Sequence, residues 1–167
     1  MIVVVMGPAG AGKTTVGQAL AAALGWPFHD ADDFHPAANV ARMAAGVALT
    51  DDDRAPWLAA LAALVARYAA EGASAVLACS ALRHAYRDQL VAAAPAAVRL
   101  VYLRAAPALL AERLAGRRGH YFGAGLLASQ LAALEEPDAH EGAPVLVLDA
   151  AAPVERLVAR VRDALAI

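Results

Sequence analysis

The run Gly7-Pro8-Ala9-Gly10-Ala11-Gly12-Lys13-Thr14 leaves the aliphatic stretch Ile2-Val3-Val4-Val5-Met6 and opens an apolar helical segment. It fits GxxxxGKT, a loop that binds phosphate because glycines let the backbone wrap with its N–H groups turned inward at the positive end of a helix. Gly7, Ala9, Gly10, Ala11, Gly12, Lys13, Thr14 and Thr15 are the expected nucleotide contacts. Lys13 is placed for the β- and γ-phosphates of a nucleoside triphosphate, and the Thr14 hydroxyl for a Mg²⁺ ion bridging them. The alternative, a glycine-rich turn that binds nothing, does not require the strand, loop and helix context found here.

A second polar segment, His29-Asp30-Ala31-Asp32-Asp33-Phe34-His35-Pro36, gathers three carboxylates and two imidazoles. Such a cluster repels itself unless a cation sits among it. In phosphoryl transfer one carboxylate orients the acceptor hydroxyl and takes its proton, while another holds a water of the Mg²⁺ shell. Asp32 is expected in the first role and Asp30 in the second. Two readings compete: a helix-capping acidic loop, and a zinc-like site of His29, His35 and a carboxylate whose spacing matches no strong zinc pattern.

Asp51-Asp52-Asp53-Arg54 opens a helix, where aspartates suit the dipole and an arginine does not. Arg54 either pairs with those aspartates or faces the site and grips an anionic substrate group. Cys79-Ser80-Ala81-Leu82-Arg83 stands where many phosphate-loop proteins carry a Mg²⁺-holding aspartate, which moves metal duty to Asp30 and Thr14. Arg113, Arg117 and Arg118 lead into Gly119-His120-Tyr121-Phe122-Gly123-Ala124-Gly125. This stretch reads either as a lid over roughly 116–125 that brings arginines onto the transferring phosphoryl group, or as an ordinary basic loop. The turn at 149–153 is expected to wall the adenine beside Arg113.

The elements that must carry these residues alternate. Aliphatic runs predict strands at 2–6, 75–79, 98–103 and 145–148, with a weaker strand at 27–29, and helical periods fill 13–24, 36–45, 52–70, 83–93, 108–114, 126–134 and 154–165. Leu58, Leu61, Leu64, Val65 and Tyr68 make one apolar stripe on the third helix. The pattern is α/β, a central parallel sheet of about five strands flanked by helices in three layers, and ligands of such sheets bind beyond the carboxyl ends of the strands.

A chain of 167 residues has room for one domain, expected over 1–167. Its hydrophobic share is 60%, yet no uncharged run reaches the roughly 18 strongly apolar residues of a membrane span. Net charge is −2 with arginines dispersed, which argues against a nucleic-acid partner and for small-molecule ligands. The single cysteine, Cys79, forms no intrachain disulfide and reads as a core residue. No basic region precedes the apolar start, so a cleaved leader is not expected and the cytoplasm is.

Together these segments resemble the gluconate kinases of the phosphate-loop type, related in fold to shikimate and adenylate kinases, nearly end to end. The resemblance rests on DADDFHP from Asp30, Asn39 with Met43, LTDDDRAPWL from Leu49, CSALR from Cys79, Tyr86-Arg87-Asp88, GHYF from Gly119, and Ser129-Gln130 before Leu134-Glu135. It implies ATP- and Mg²⁺-dependent phosphorylation of D-gluconate at its 6-hydroxyl, often by a homodimer. It also implies that Asp32, His35, Arg54, Ser80, Arg83, His120 and Gln130 meet the sugar acid, that Lys13, Asp32 and Arg117 act in transfer, and that Arg113 and Arg117 meet the nucleotide. Arg83 departs from a frequent lysine and Tyr121 from a frequent phenylalanine. A shikimate kinase would resemble a glycine triplet at Cys79-Ser80-Ala81, and a nucleotide-hydrolysing switch would need no acceptor.

Overall fold

In the computed structural model β1 (Ile2–Met6), the run of β-branched and aliphatic residues, is buried along its whole length, as a central strand of a parallel sheet must be. The structure describes residues 1–116, 124–138 and 140–167, with 124–126 followed as backbone only. After β1 come α1 (Lys13–Leu24), β2 (Phe28–Asp30), a 3-10 turn (Ala31–Phe34), α2 (Ala37–Ala44) and α3 (Asp51–Ala70). The chain continues through β3 (Ala75–Cys79), α4 (His84–Ala92), β4 (Val98–Arg104), α5 (Pro107–Ala115), α6 (Ala124–Ala133), β5 (Val145–Asp149) and α7 (Val154–Leu165). The five strands are parallel in the order β2-β3-β1-β4-β5, with Ile2 opposite both Ala75 and Val98.

Strand alternation sorts the core into two layers of contact. Val3, Val5, Val76 and Val101 pack with Val16 and Leu20 of α1 and Leu157 and Val161 of α7. Ile2, Val4, Leu77 and Leu100 pack on the other face with Leu58, Leu61 and Val65 of α3 and Leu90 of α4. The three-layer α/β arrangement expected from the sequence is the one observed. Its consequence for function is that the segments after β1, β2 and β3 leave the sheet at neighbouring carboxyl ends.

Differences from the expected elements are local and have causes. Asp30 Oδ1 accepts the Asp32 N–H at 3.1 Å, which folds the acidic segment into a 3-10 turn that periodicity does not reveal. Thr50 and Asp53 form a reciprocal capping box, so α3 starts at Asp51. Cys79 is fully buried, and burial pushes its thiol up to about 12, consistent with a core residue. Among the described residues no helix is long and apolar enough to cross a membrane. Most of the expected lid, residues 117–123, lies outside the described residues, and with it Arg117, Arg118 and His120.

Candidate active site

The phosphate loop joins β1 to α1 in a shape its glycines permit. Gly7 has φ 143°, and a Cβ there would stand 2.9 Å from the Leu103 carbonyl oxygen. Gly10 has φ 85°, and a Cβ would stand 3.1 Å from the Leu110 carbonyl oxygen and 3.3 Å from Leu114 Cγ. Lys13, half-buried at the first position of α1, donates from Nζ to the Pro8 carbonyl oxygen at 3.1 Å, curling its side chain back over the loop. The Thr14 hydroxyl donates to Asp30 Oδ2 at 2.9 Å, tying the start of α1 to the end of β2. Asp30 thus uses one oxygen to cap the 3-10 turn and the other to reach Thr14, so the capping role coexists with a place at the phosphate loop.

Asp32 follows directly. It is exposed along one side, yet the protein packed behind it and the Asp30 charge raise its pKa, against the lowering pull of Lys13 and His35. His35 stacks on Trp57 with ring centroids 4.5 Å apart and 9° between planes. Trp57 Nε1 donates to the Ala31 carbonyl oxygen at 2.7 Å, and the Asn39 amide donates to the Asp53 carbonyl oxygen at 2.7 Å, so α2 and α3 fix the acidic turn from below. Burial lowers the pKa of His35, with Arg54 adding to it and Asp32 opposing, which favours the neutral ring. His29 is turned away from this group, its Nε2 2.8 Å from the Tyr68 hydroxyl. Among the described residues no three His, Cys, Asp or Glu side chains are grouped to hold a metal by themselves.

Beside this group, α3 and the β3–α4 loop bring two arginines to one tyrosine ring. Arg83 Nη1 donates to Asp51 Oδ2 at 2.6 Å, and Arg54 Nη1 lies 3.6 Å from Asp51 Oδ1. The Tyr86 hydroxyl donates to Asp51 Oδ1 at 2.5 Å, and both guanidinium carbons sit 5.8 Å from the Tyr86 ring centroid. Arg54 therefore has the aspartate partner of the plainer expectation and shares that partner and the Tyr86 ring with Arg83. The loop that carries Arg83 is pinned: Ala81 takes φ 43°, an uncommon value for a side chain, and buried Arg87 donates from Nη1 to the carbonyl oxygens of Ala81, Leu82 and Glu135 at 3.0, 3.2 and 3.0 Å. Ser80, half-buried, accepts the Gly7 N–H on its backbone carbonyl at 3.3 Å, which links this loop to the phosphate loop.

Arg113 of α5 donates to the Gly10 and Ala11 carbonyl oxygens, both at 3.4 Å, and to the Ala150 carbonyl oxygen at 2.8 Å. A cavity of about 330 Å³ opens there between Thr15, Val16, Arg113, Ala152, Val154 and Leu157, beside the turn that follows β5. Gln130 of α6 lies against the phosphate loop, its Oε1 accepting the Ala9 N–H at 2.7 Å, rather than with the arginines.

Comparison with known proteins accounts for this assembly. The AAA domain family matches residues 2–137. A gluconokinase of Gluconobacter oxydans is 48% identical over 134 residues, 80% of this chain and 75% of its own. A sugar kinase of Janibacter sp. HTCC2649 superposes with a TM-score of 0.91 at 40% identity, covering 99% of this chain and 94% of that one. For a gluconokinase of Sinorhizobium meliloti the values are 0.84, 39%, 98% and 94%. This chain belongs to the gluconate kinase family.

Within a gluconate kinase, Tyr86 and Arg87 had no role assigned from sequence, and Asp51 only that of a candidate partner of Arg54. Asp51, Tyr86 and Arg87 hold or orient the arginines, and none carries a motif chemistry of its own. The available signal is compositional: a tyrosine and an arginine in the first turn of α4, just after Arg83, place three polar side chains on one short segment.

Proposed function

We propose that this chain transfers the γ-phosphoryl group of ATP to the 6-hydroxyl of D-gluconate, giving 6-phosphogluconate and ADP. The observation that carries the reading is the convergence of Arg54 and Arg83 on Tyr86, with Arg54 and Asp32 both near enough to His35 to act on its charge. A sugar acid needs a cation for one end and a proton acceptor near the reacting hydroxyl at the other. The arginines hold the carboxylate, each guanidinium matching its two oxygens. His35, with Ser80 and His120, meets hydroxyls along the chain.

Asp32 takes the proton of the 6-hydroxyl as the new P–O bond forms, and its raised pKa suits it to that task. The transition state is loose, so most of the acceleration comes from position and charge: Lys13 and the loop N–H groups on the phosphates, and Arg117 from the lid. Gln130 takes up the Ala9 N–H, which fixes the loop rather than serving a phosphate, and borders the sugar from the nucleotide side. Arg113 and the cavity beside it receive the adenosine.

Thr14 and Asp30 offer a hydroxyl and a carboxylate at the phosphate end, oxygen donors few enough to leave an octahedral ion most of its waters, which fits Mg²⁺. When bound there the ion offsets phosphate charge. The reading includes a single kinase domain over 1–167, a homodimer and a cytoplasmic setting, supported by the family resemblance.

The test is ADP release from Mg-ATP with D-gluconate, shikimate, AMP or no acceptor in parallel. Release that depends on gluconate alone is expected. ADP formed at one rate whatever the acceptor would replace the sugar-acid assignment with a nucleotide-hydrolysing switch.

A further inference from the structure

Asp51 sits where a substrate carboxylate would be expected to compete with it, yet its geometry leaves room for both. Its two oxygens take Arg83 Nη1 at 2.6 Å and the Tyr86 hydroxyl at 2.5 Å, with Arg54 Nη1 at 3.6 Å. Each guanidinium therefore gives Asp51 a single Nη1, and the paired N–H edge that matches a carboxylate is not spent on it. Tyr86 adds no charge, because burial and its bond to Asp51 both keep the phenol protonated. Two arginines less one aspartate leave a single net positive charge here, since Asp53, which also acts on Arg54, is offset by Arg42 at 3.5 Å. One carboxylate neutralises it.

We propose that Asp51 sets the charge selectivity of the acid end, tuning the Arg54–Arg83 pair to a monoanionic carboxylate and against dianions. The inference rests on the reading of Arg54 and Arg83 as carboxylate ligands. Without Asp51 the pair would carry two uncompensated charges and would favour a phosphate, a sulfate or the second carboxylate of a diacid. That discrimination matters for this reaction, since its product carries a carboxylate at one end and a phosphate at the other. A doubly charged pocket would hold the product back to front.

The test uses sulfate and acetate as inhibitors competing with gluconate at saturating Mg-ATP and constant ionic strength, counting only inhibition that added gluconate relieves. In Asp51→Asn the preference for sulfate over acetate should rise about tenfold, the effect of one charge acting through some 1.4 kcal/mol. Asp51→Glu, which keeps the charge, should return the preference toward that of the parent. Asp52→Asn removes the same charge one residue away, outside the cluster, and should not move it. An unchanged preference in Asp51→Asn, or an equal rise in Asp52→Asn or Asp51→Glu, overturns the role. Asp51 is exposed and lies outside the Thr50–Asp53 capping box, so the substitution leaves the cap of α3 in place.

Arg83→Ala separates the two levels of the argument. A higher KM for gluconate and loss of the gluconate-relieved inhibition are expected. If Arg83→Ala leaves KM unaltered, the carboxylate reading fails and takes the Asp51 role with it. If KM rises but Asp51→Asn does not shift the preference, only the Asp51 role is lost.

Discussion

At the phosphate loop the groups offered to an anion are main-chain N–H groups, set by glycines at φ 143°, 85° and 94° and packed against Leu103, Leu110 and Leu114. At Arg54 and Arg83 they are side-chain guanidiniums, held by Asp51, Tyr86 and, through the loop beneath, by Arg87. The first cradle has little freedom to adjust, because a side chain at Gly7 or Gly10 runs into a backbone carbonyl oxygen. The second consists of half-exposed contacts that are individually weak, and its order comes from several of them meeting at one ring. A backbone cradle can serve a phosphate common to many kinases, whereas a side-chain cluster can be retuned for one acceptor.

Substitutions at the two ends should therefore fail in different ways. Gly10→Val places a branched side chain at φ 85° and within 3.1 Å of a carbonyl oxygen, so ATP binding by calorimetry should be lost altogether. Retained ATP binding would mean that the loop is more compliant than its packing implies, and the contrast would collapse.

Between the ends stands Asp32. Asp32→Asn should lower kcat by about 10³-fold, within the range for a general base, with ATP affinity little changed. The parent rate should fall as pH drops through the raised Asp32 pKa, since only the ionised carboxylate accepts the proton, and that limb should vanish from the variant's pH profile. A profile that keeps its acid limb would assign the limb to another group.

The acid end should yield more gradually, through its support. Arg87 and Glu141 form a pair whose side chains are each 1% exposed. Burial pushes the Glu141 carboxyl up, but its bonds to Arg87 and His84 prevail and hold it below its ordinary 4.5. The stability it contributes is then present above that ordinary value and is lost as pH falls through the lower folded one. Arg87→Met strands the buried carboxylate and should cost about 3 kcal/mol in urea unfolding, with a higher gluconate KM as the Ser80–Arg83 loop loosens. Adding Glu141→Leu should recover stability without recovering KM. Joint recovery would show that the loop does not need the Arg87 contacts.

The same contrast explains what could be read from sequence. The phosphate loop is eight consecutive residues between a strand and a helix, so type and spacing suffice. The central strands were legible for a similar reason: β1 and β3 are short aliphatic runs buried along their whole length, whereas β2, Phe28–Asp30, is half-buried and carries little aliphatic signal, and the 3-10 turn after it depends on one Asp30 hydrogen bond. The arginine cluster is different in kind. Asp51 meets Arg83 and Tyr86 across 32 and 35 positions, and Gln130 meets Ala9 across 121, separations at which local pattern carries no information about contact. Arg54 could be flagged because it sits badly in a helix's first turn. Asp51 sits well there, and nothing in its setting announces a second task.

Lys13, curled onto the Pro8 carbonyl, is the chain's single lysine; the other thirteen cationic side chains of the Lys and Arg total are arginines. Within this sequence, lysine-directed chemistry on the folded protein consequently has one address, this ε-amino group. A reagent that acylates Lys13 would act as an occupancy gauge for the nucleotide site, and coupling the enzyme to a support through this lysine would block the site by construction.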